Sequence, residues 1–194
     1  MKGLKAILLA SVVSMASHAL ADPMATNDLT IVPGASMAGV TLGPNGLLEL
    51  KKLGKPYRID RGMSQTRQVW KWSRPEGRLD TFFVHTVNNG VIDAKPADGV
   101  TIDLIRSTVA RFKTSGGIGV GKTLDEIRKD FPDAAPVDGT PTIFDDGKRG
   151  IAFEFSSAPI GHSICIAVMV HRQGQTNIAT QEQVAEVLEH GSKD

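Results

Sequence analysis

The sequence matches itself at a fixed offset of 78 residues, and this match limits the folds that the chain can adopt. Residues 39–43 read G-V-T-L-G and align with residues 117–121, which read G-I-G-V-G. Ten residues after each of these segments, Leu53 aligns with Phe131. A match of this kind indicates that one structural unit occurs twice. We therefore expect two tandem units.

A short helix is predicted after each match. In the second unit, Thr123 and Glu126 form a capping-box pattern, and Pro132 ends the helix. The apolar residues of the two helices recur at helical spacing, namely Leu124, Ile127 and Phe131 in the second unit and Leu47, Leu50 and Leu53 in the first. Gly54 ends the first helix. Helices of about two turns do not persist alone, so each must pack against a sheet.

Apolar segments that alternate or run continuously predict the strands of that sheet. These segments are 68–72, 79–87, 100–104, 142–145, 151–155 and 163–171, with turn residues at Asn88-Asn89-Gly90 and Asp146-Gly147. Strand 163–171 is apolar on both faces, which predicts cover on both sides. A tail helix can supply that cover: it has a capping box at 180–183, an apolar stripe of Val184, Val187 and Leu188, and Gly191 at its end.

The predicted fold is therefore α+β, with two tandem repeats, each a short helix followed by antiparallel strands, and a C-terminal helix. We expect the first repeat at 22–110, the second at 111–174, and a linker with the final helix at 175–194. Two such units would place their short helices on one face of the sheet and leave the opposite face free for a partner.

The first 21 residues have the pattern of a secretory signal peptide. Lys2 and Lys5 precede an apolar stretch at 6–13, and Ala19-Leu20-Ala21 is a small-x-small cleavage site. The mature chain would begin at Asp22, and its destination would be the periplasm or the medium. The apolar stretch is too short to span a bilayer, and no cysteine follows the cleavage site, so we expect neither a membrane span nor a lipid anchor.

The charge balance bears on the class of partner. The chain has 22 Lys and Arg residues against 21 Asp and Glu residues. A nucleic-acid protein needs a clear excess of cations on one face, so no nucleic-acid partner is expected.

Short motifs resemble those of known exported domains. The segment 121–131, Gly-Lys-Thr-Leu-Asp-Glu-Ile-Arg-Lys-Asp-Phe, looks like the helix signature of the small lipoprotein of the outer-membrane barrel-assembly machinery (SmpA/OmlA-like domains), and 53–56 is similar to the end of that signature. Two such units in one chain resemble the tandem repeats of β-lactamase-inhibitor proteins. The chain departs from the signature at Glu49 and Pro132, and it lacks a cysteine pair in each repeat. The resemblance implies a tandem architecture and a protein-binding role.

Residues 116–123, which read G-G-I-G-V-G-K-T, also match the phosphate-loop pattern. Such a loop directs successive backbone N–H groups and a helix N-terminus at phosphates. However, a phosphate loop leaves a buried apolar strand directly, whereas residues 113–115 here are Lys-Thr-Ser, and the helix stops at Pro132. The duplication offers another explanation, because Gly117 and Gly121 match glycines of the first unit.

No catalytic residue, metal site or cofactor is predicted. The histidines His85, His162, His171 and His190 are not spaced as metal ligands. His85 and His171 lie in predicted strands, where we expect them to be hydrogen-bonded or partly exposed. Cys165, the only cysteine, lies between two isoleucines and is expected to be a buried, unreactive thiol.

The two tryptophans are the candidate partner-binding residues. Trp70 and Trp72 are two positions apart in one predicted strand, so their side chains share a face of the sheet. Such a pair is either part of the core or an aromatic patch that binds a partner.

Together these patterns predict an exported, soluble, non-catalytic protein-binding module of the bacterial envelope. Its partner would be another envelope or secreted protein. Two alternatives stay open: an enzyme that uses the segment Gly116–Thr123, and a purely structural envelope protein.

The phosphate-loop alternative makes a testable prediction at its lysine. As a solvated side chain in a first helical turn, Lys122→Ala should change the free energy of unfolding by no more than about 0.5 kcal/mol. Thr123→Ala should cost about 1 kcal/mol, because it removes the helix cap. Thermal unfolding with and without ATP and magnesium is the measurement. A melting temperature that ATP raises in the wild type but not in Lys122→Ala would contradict the structural interpretation.

Overall fold

The computed structural model of the protein describes residues 28–62, 64–74, 76–88, 99–157, 163–175 and 178–193. The expected leader at 1–21, the turn residues Asn89 and Gly90, and His162 lie outside the described residues. None of the helices in the described ranges is long and apolar enough to cross a membrane.

The described residues form two antiparallel sheets and three α-helices, so the fold class is α+β as predicted. The small sheet consists of β1 (Ile31–Val32), β2 (Ser36–Met37) and β3 (Val40–Thr41). The large sheet consists of β4 (Arg58–Gly62), β5 (Gln65–Ser73), β6 (Leu79–Asn88), β7 (Val100–Ser107), β8 (Ala135–Val137), β9 (Thr140–Asp146), β10 (Ile151–Phe155) and β11 (Cys165–His171). The helices are α1 (Gly46–Leu50), continued by a 3-10 turn at Lys51–Leu53, α2 (Leu124–Asp130) and α3 (Gln181–His190).

The strands of the large sheet lie in the order β4-β5-β6-β7-β11-β10-β9-β8. In the chain, α1 precedes β4 to β7 and α2 precedes β8 to β11. The two groups of four strands therefore join at one seam, where β7 pairs antiparallel with β11 and Arg106 lies opposite Met169.

The sequence analysis missed five strands of the described residues: β4 and β8 of the large sheet, which is therefore larger than predicted, and the three strands of the small sheet. The edge strand β4 reads R-I-D-R-G and has one large apolar residue, Ile59, so it shows no alternation. The other edge strand, β8, contains Pro136, which is tolerated at an edge because one side of that strand has no neighbour. The strands of the small sheet have two residues each, too few to carry a period.

Hydrophobic clusters lie on both faces of the large sheet. On one face, Leu50 and Leu53 of the first helical segment and Ile127 of α2 pack in one cluster with the strand residues Phe82 and Phe153. These contacts explain how helices of five and seven residues persist.

The helix α3 covers the second face. Val184 and Val187 of α3 pack with Val69, Phe83 and Met169 of the sheet. This confirms the tail helix and the cover on both sides of the strand that contains Met169. The expectation that the second face of the sheet is free for a partner is wrong, because α3 occupies it.

The predicted helix ends are confirmed. Thr123 with Glu126 and Thr180 with Gln183 form complete capping boxes at the starts of α2 and α3. Gly54 ends the first helical segment with a φ of 72°, a conformation that favours glycine.

The two glycines expected before the first two helices have nearly the same conformation. Gly43 has a φ of 96° and Gly121 a φ of 92°, both in the region that disfavours a Cβ atom. Gly43 N–H donates to Ile102 O in β7 at 2.7 Å, and Gly121 N–H donates to Cys165 O in β11 at 2.8 Å. Each glycine thus holds the start of a helix against one strand of the seam.

A buried ion pair spans this seam. Arg106 of β7 is 1% exposed and Glu154 of β10 is 5% exposed. The Arg106 Nε and Nη2 atoms donate to Glu154 Oε2 at 3.2 and 2.5 Å. The other carboxylate oxygen, Glu154 Oε1, accepts from the backbone N–H of Gln181 at the start of α3, at 3.2 Å. One carboxylate therefore links strands from both sides of the seam to the final helix.

We predict that Glu154→Ala destabilises the protein by about 3–5 kcal/mol, because it leaves the Arg106 guanidinium buried without its partner. Urea unfolding followed by circular dichroism measures this. The double variant Arg106→Met with Glu154→Leu is the control, and it should lose clearly less because no unpaired charge remains. A loss below about 1 kcal/mol for Glu154→Ala would contradict the prediction.

Candidate functional site

Trp70 lies in the hydrophobic core. Its side chain is 3% exposed, and it meets the Phe82 ring edge-to-face with the ring centroids 6.4 Å apart. The Trp70 Nε1–H group donates to Gly54 O at 3.1 Å, which ties β5 to the end of the first helical segment. Of the two interpretations of the tryptophans, core packing describes Trp70, and an open aromatic patch does not.

Trp72 lies at the margin of the same cluster. Its side chain is partly buried and packs against that cluster, so the two tryptophans share a face as their spacing predicted. This face is the one that α1 and α2 cover. The Trp72 Nε1–H group is buried and has no hydrogen-bond partner among the described residues.

A surface groove of about 360 Å³, here called the Trp72 groove, opens beside this side chain. It is lined by residues 55–57, residues 70–72 and Lys193. Lys193 reaches the groove because the end of the chain pairs with the edge strand β4. Ile59 N–H donates to Ser192 O at 3.0 Å, and Ser192 N–H donates to Ile59 O at 2.8 Å.

Cations surround the tyrosine in this groove. The Lys71 Nζ atom lies 3.5 Å from the centroid of the Tyr57 ring, and the Arg58 Cζ atom lies 4.6 Å from it. The hydrogen bond from Lys71 lowers the pKa of Tyr57 below its ordinary value, and the charges of Lys71, Arg58 and Lys193 lower it further. The groove therefore combines aromatic walls with a positive potential, and it can hold an apolar group that carries negative charge.

The sequence analysis identified the two tryptophans as candidate binding residues, but it did not identify the lysines that line the groove. One local signal was present, because residues 51–58 contain four cations and no carboxylate. Lys193 gave no such signal: it is adjacent to Ser192, which meets Ile59 across a separation of 133 residues.

The segment 116–123 is not arranged as a phosphate loop. Five of its eight backbone N–H groups donate to acceptors within the protein. The hydrogen bonds run from Gly117 to Thr114 O, from Ile118 to Thr114 Oγ1, from Gly121 to Cys165 O, from Lys122 to Gly119 O and from Thr123 to Glu126 Oε2. Most of the donors that a phosphate would need are thus already used.

A carboxylate of the chain occupies the N-terminus of α2. Glu126 Oε2 accepts from the backbone N–H and the hydroxyl of Thr123 at 2.8 and 3.0 Å, and Lys122 Nζ donates to Glu126 Oε1 at 2.8 Å. The hydrogen bond from Lys122, together with those from Thr123, lowers the pKa of Glu126 to about 2. A second anion at this position would meet a fixed negative charge.

Cys165 is a buried thiol, as predicted. Its side chain is 0% exposed, and the Sγ–H group donates to Ala167 O at 3.2 Å. Burial raises the pKa of Cys165 to about 12, so the thiolate that would act as a nucleophile is disfavoured.

His85 and His171 lie in strands and are hydrogen-bonded, also as predicted. His85 contacts Asp103 Oδ1 through Nδ1 at 2.7 Å and Gln65 Oε1 through Nε2 at 2.8 Å. His171 contacts Asp145 Oδ1 through Nε2 at 2.8 Å and Arg172 O through Nδ1 at 3.0 Å. Both ring nitrogens of each histidine are thus engaged within the protein. In the described part of the chain, no group of three or more His, Cys, Asp or Glu residues is placed to hold a metal ion.

Comparison with known proteins adds little to this geometry. No family model matches the chain, and no curated protein matches it. A solved structure, that of the uncharacterized protein yfeY from Escherichia coli, aligns with 74% of this chain and 98% of that chain, at 15% sequence identity and a TM-score of 0.33. A likeness of that size carries no argument about function.

The two tryptophans should differ in their contributions to stability. We expect Trp70→Ala to cost about 3–5 kcal/mol, because it empties a fully packed site and removes the bond to Gly54. Trp72→Ala should cost clearly less, because its side chain is partly exposed. Urea unfolding followed by circular dichroism compares the two variants. A Trp70→Ala variant as stable as Trp72→Ala would contradict the assignment of Trp70 to the core.

Proposed function

We propose that the chain is an exported, non-catalytic protein-binding module of the bacterial envelope, located in the periplasm or secreted. Its partner is another envelope or secreted protein, and the contact is made at the Trp72 groove. The signal-peptide pattern of the first 21 residues supports export. The single buried cysteine is compatible with an oxidising compartment, because it leaves no exposed thiol.

The observation that carries this proposal is the composition of the groove. Protein-binding hot spots are enriched in tryptophan and tyrosine, which bury a large area at a low entropic cost. The groove brings Tyr57, Trp72 and the margin of Trp70 together at the surface, beside lysine side chains. The core position of Trp70 supports binding indirectly, because it fixes β5 and so fixes the neighbouring side chain of Trp72.

A tandem duplication is part of the proposal. Three features support it: α1 and α2 each precede four antiparallel strands, the two groups meet through their last strands, and Gly43 and Gly121 have nearly equal φ angles. Gly39 and Gly117 agree as well, with φ angles of 75° and 78°. The same arrangement of two units is what the resemblance to tandem-repeat inhibitor proteins implies.

The enzyme alternative loses support from its sequence motif, because five of the eight backbone N–H groups of segment 116–123 donate to acceptors within the protein. The structural alternative differs from ours in one measurable respect. A protein-binding module forms a saturable complex, and substitution of groove residues abolishes that complex. For a purely structural component, substitution of Trp72 is not expected to abolish a complex.

Photo-crosslinking in envelope extracts tests the proposal. A photoreactive residue replaces the uncharged Pro56, which lines the groove, and in a second protein it replaces Leu48, which is 68% exposed and does not line the groove. We expect one concentration-dependent adduct from position 56 and none from position 48.

The variants Trp72→Ala and Tyr57→Ala should abolish that adduct in protein labelled at position 56. The control Lys129→Ala, on the exposed side of α2, should leave it intact. Circular dichroism checks that each variant is folded before it is used. No saturable adduct from position 56, or the same adduct in folded Trp72→Ala and Tyr57→Ala proteins, would contradict the proposed function.

A further inference from the structure

The charges that line the Trp72 groove have a single sign. Among the described residues, the ionisable side chains that line the groove other than Tyr57 are Lys55, Lys71 and Lys193, and none of the lining residues is a carboxylate. None of these three lysines has an ion-pair partner in the part of the chain that the structure describes. An isolated groove lined by one sign of charge attracts ligands of the opposite sign.

The positive charge extends beyond the groove along the chain. Lys51 and Lys52 occupy the 3-10 turn directly before it, and Arg58 follows Tyr57 at the start of β4. A ligand with a single carboxylate would interact with only some of these cations. A ligand that carries several negative charges in a row can interact with all of them.

The shape of the groove limits the size of what enters it. A volume of about 360 Å³ is at the lower end of the range for small-ligand sites, so the groove accepts a few side chains and not a folded domain. An extended segment of a partner can place one apolar or aromatic side chain against Tyr57 and Trp72 while its flanking carboxylates reach the lysines.

The indole groups of the two tryptophans differ in their hydrogen bonding. The Trp70 Nε1–H group is bonded to Gly54 O, but the Trp72 Nε1–H group lacks an acceptor among the described residues. A buried donor without an acceptor is unfavourable.

We propose that the Trp72 groove binds an acidic segment of the partner protein, a short extended run of Asp or Glu residues next to an apolar residue. The inference deepens the proposed function and rests on it for the identity of the partner as a protein. The chemistry of the groove can be tested without the partner.

Fluorescence anisotropy with defined peptides is the test. The probes are a fluorescein-labelled peptide of six glutamates with one central tryptophan and the same peptide with glutamine at each glutamate position. We expect the acidic peptide to bind at least about tenfold more tightly, and this preference to be largely lost between about 50 mM and about 500 mM salt, because salt screens exposed charges. Equal binding of the two peptides would overturn the proposal.

Charge reversals separate the groove from the net charge of the protein. Lys71→Glu and Lys55→Glu should each weaken binding of the acidic peptide by about tenfold, because they place a carboxylate in the groove. Lys129→Glu makes the same change in net charge on α2 and should leave binding nearly unchanged. Equal weakening by Lys129→Glu would overturn the proposal.

A second readout locates the peptide. In nitrogen–proton correlation spectra, the indole N–H resonance of Trp72 should shift on titration with the acidic peptide, and that of Trp70 should shift less because it is bonded to Gly54. A Trp72 resonance that does not move would overturn the proposal. Binding to phosphatidylglycerol vesicles that is tighter than peptide binding and equally sensitive to Lys71→Glu would also overturn it, in favour of a membrane surface.

The experiments distinguish the failure of the two proposals. If Trp72→Ala abolishes the envelope adduct and Lys71→Glu does not, the proposal of an acidic segment is wrong and the proposal of protein binding is kept. If the acidic peptide binds as expected but no envelope adduct forms, the proposal of protein binding in the envelope is wrong and the preference of the groove for acidic ligands is kept.

Discussion

The contact on which the rest of the structure depends is the seam between β7 and β11, together with the buried carboxylate beside it. Glu154 accepts from Arg106 across the seam and from Gln181 at the start of α3. Burying this pair removes two charges from water, and only good geometry and further hydrogen bonds offset that penalty. The hydrogen bonds of Glu154 to Arg106 and to Gln181 require the observed register of β7 on β11 and the observed position of α3. The pair therefore contributes to the specificity of the assembly as well as to its stability.

That assembly explains why such short helices are stable. Helices α1 and α2 have five and seven residues and would not persist alone. Gly43 and Gly121 bond each helix start to a strand of the seam, and the apolar residues of each helix complete one core. The face with α1 and α2 and the face with α3 thus each carry a hydrophobic cluster. Trp72 lies at the margin of the first cluster, where its side chain meets solvent beside Tyr57.

The features that the sequence predicted correctly depend on neighbours within a few residues. The capping box joins Thr123 to Glu126, which are three residues apart. The alternation in β5 places Trp70 and Trp72, which are two residues apart, on one face. Both patterns are local, so the sequence alone shows them. Which face of a strand becomes the core depends on elements far away in the chain, so the sequence left core and surface open for these tryptophans. The edge strand β4 was missed for a related reason: its pairing with β5 and with Ser192 is visible only in the fold.

The groove shows how function can depend on the contacts that are hardest to predict. Lys55 and Lys71 approach each other through the β4–β5 pairing, and Lys193 joins them through the bond between Ser192 and Ile59. Among the described residues that line the groove, no carboxylate offsets these cations, and Lys71 lies over the ring of Tyr57 instead. In the proposed complex, carboxylates of a partner supply the negative charge that the groove itself does not provide.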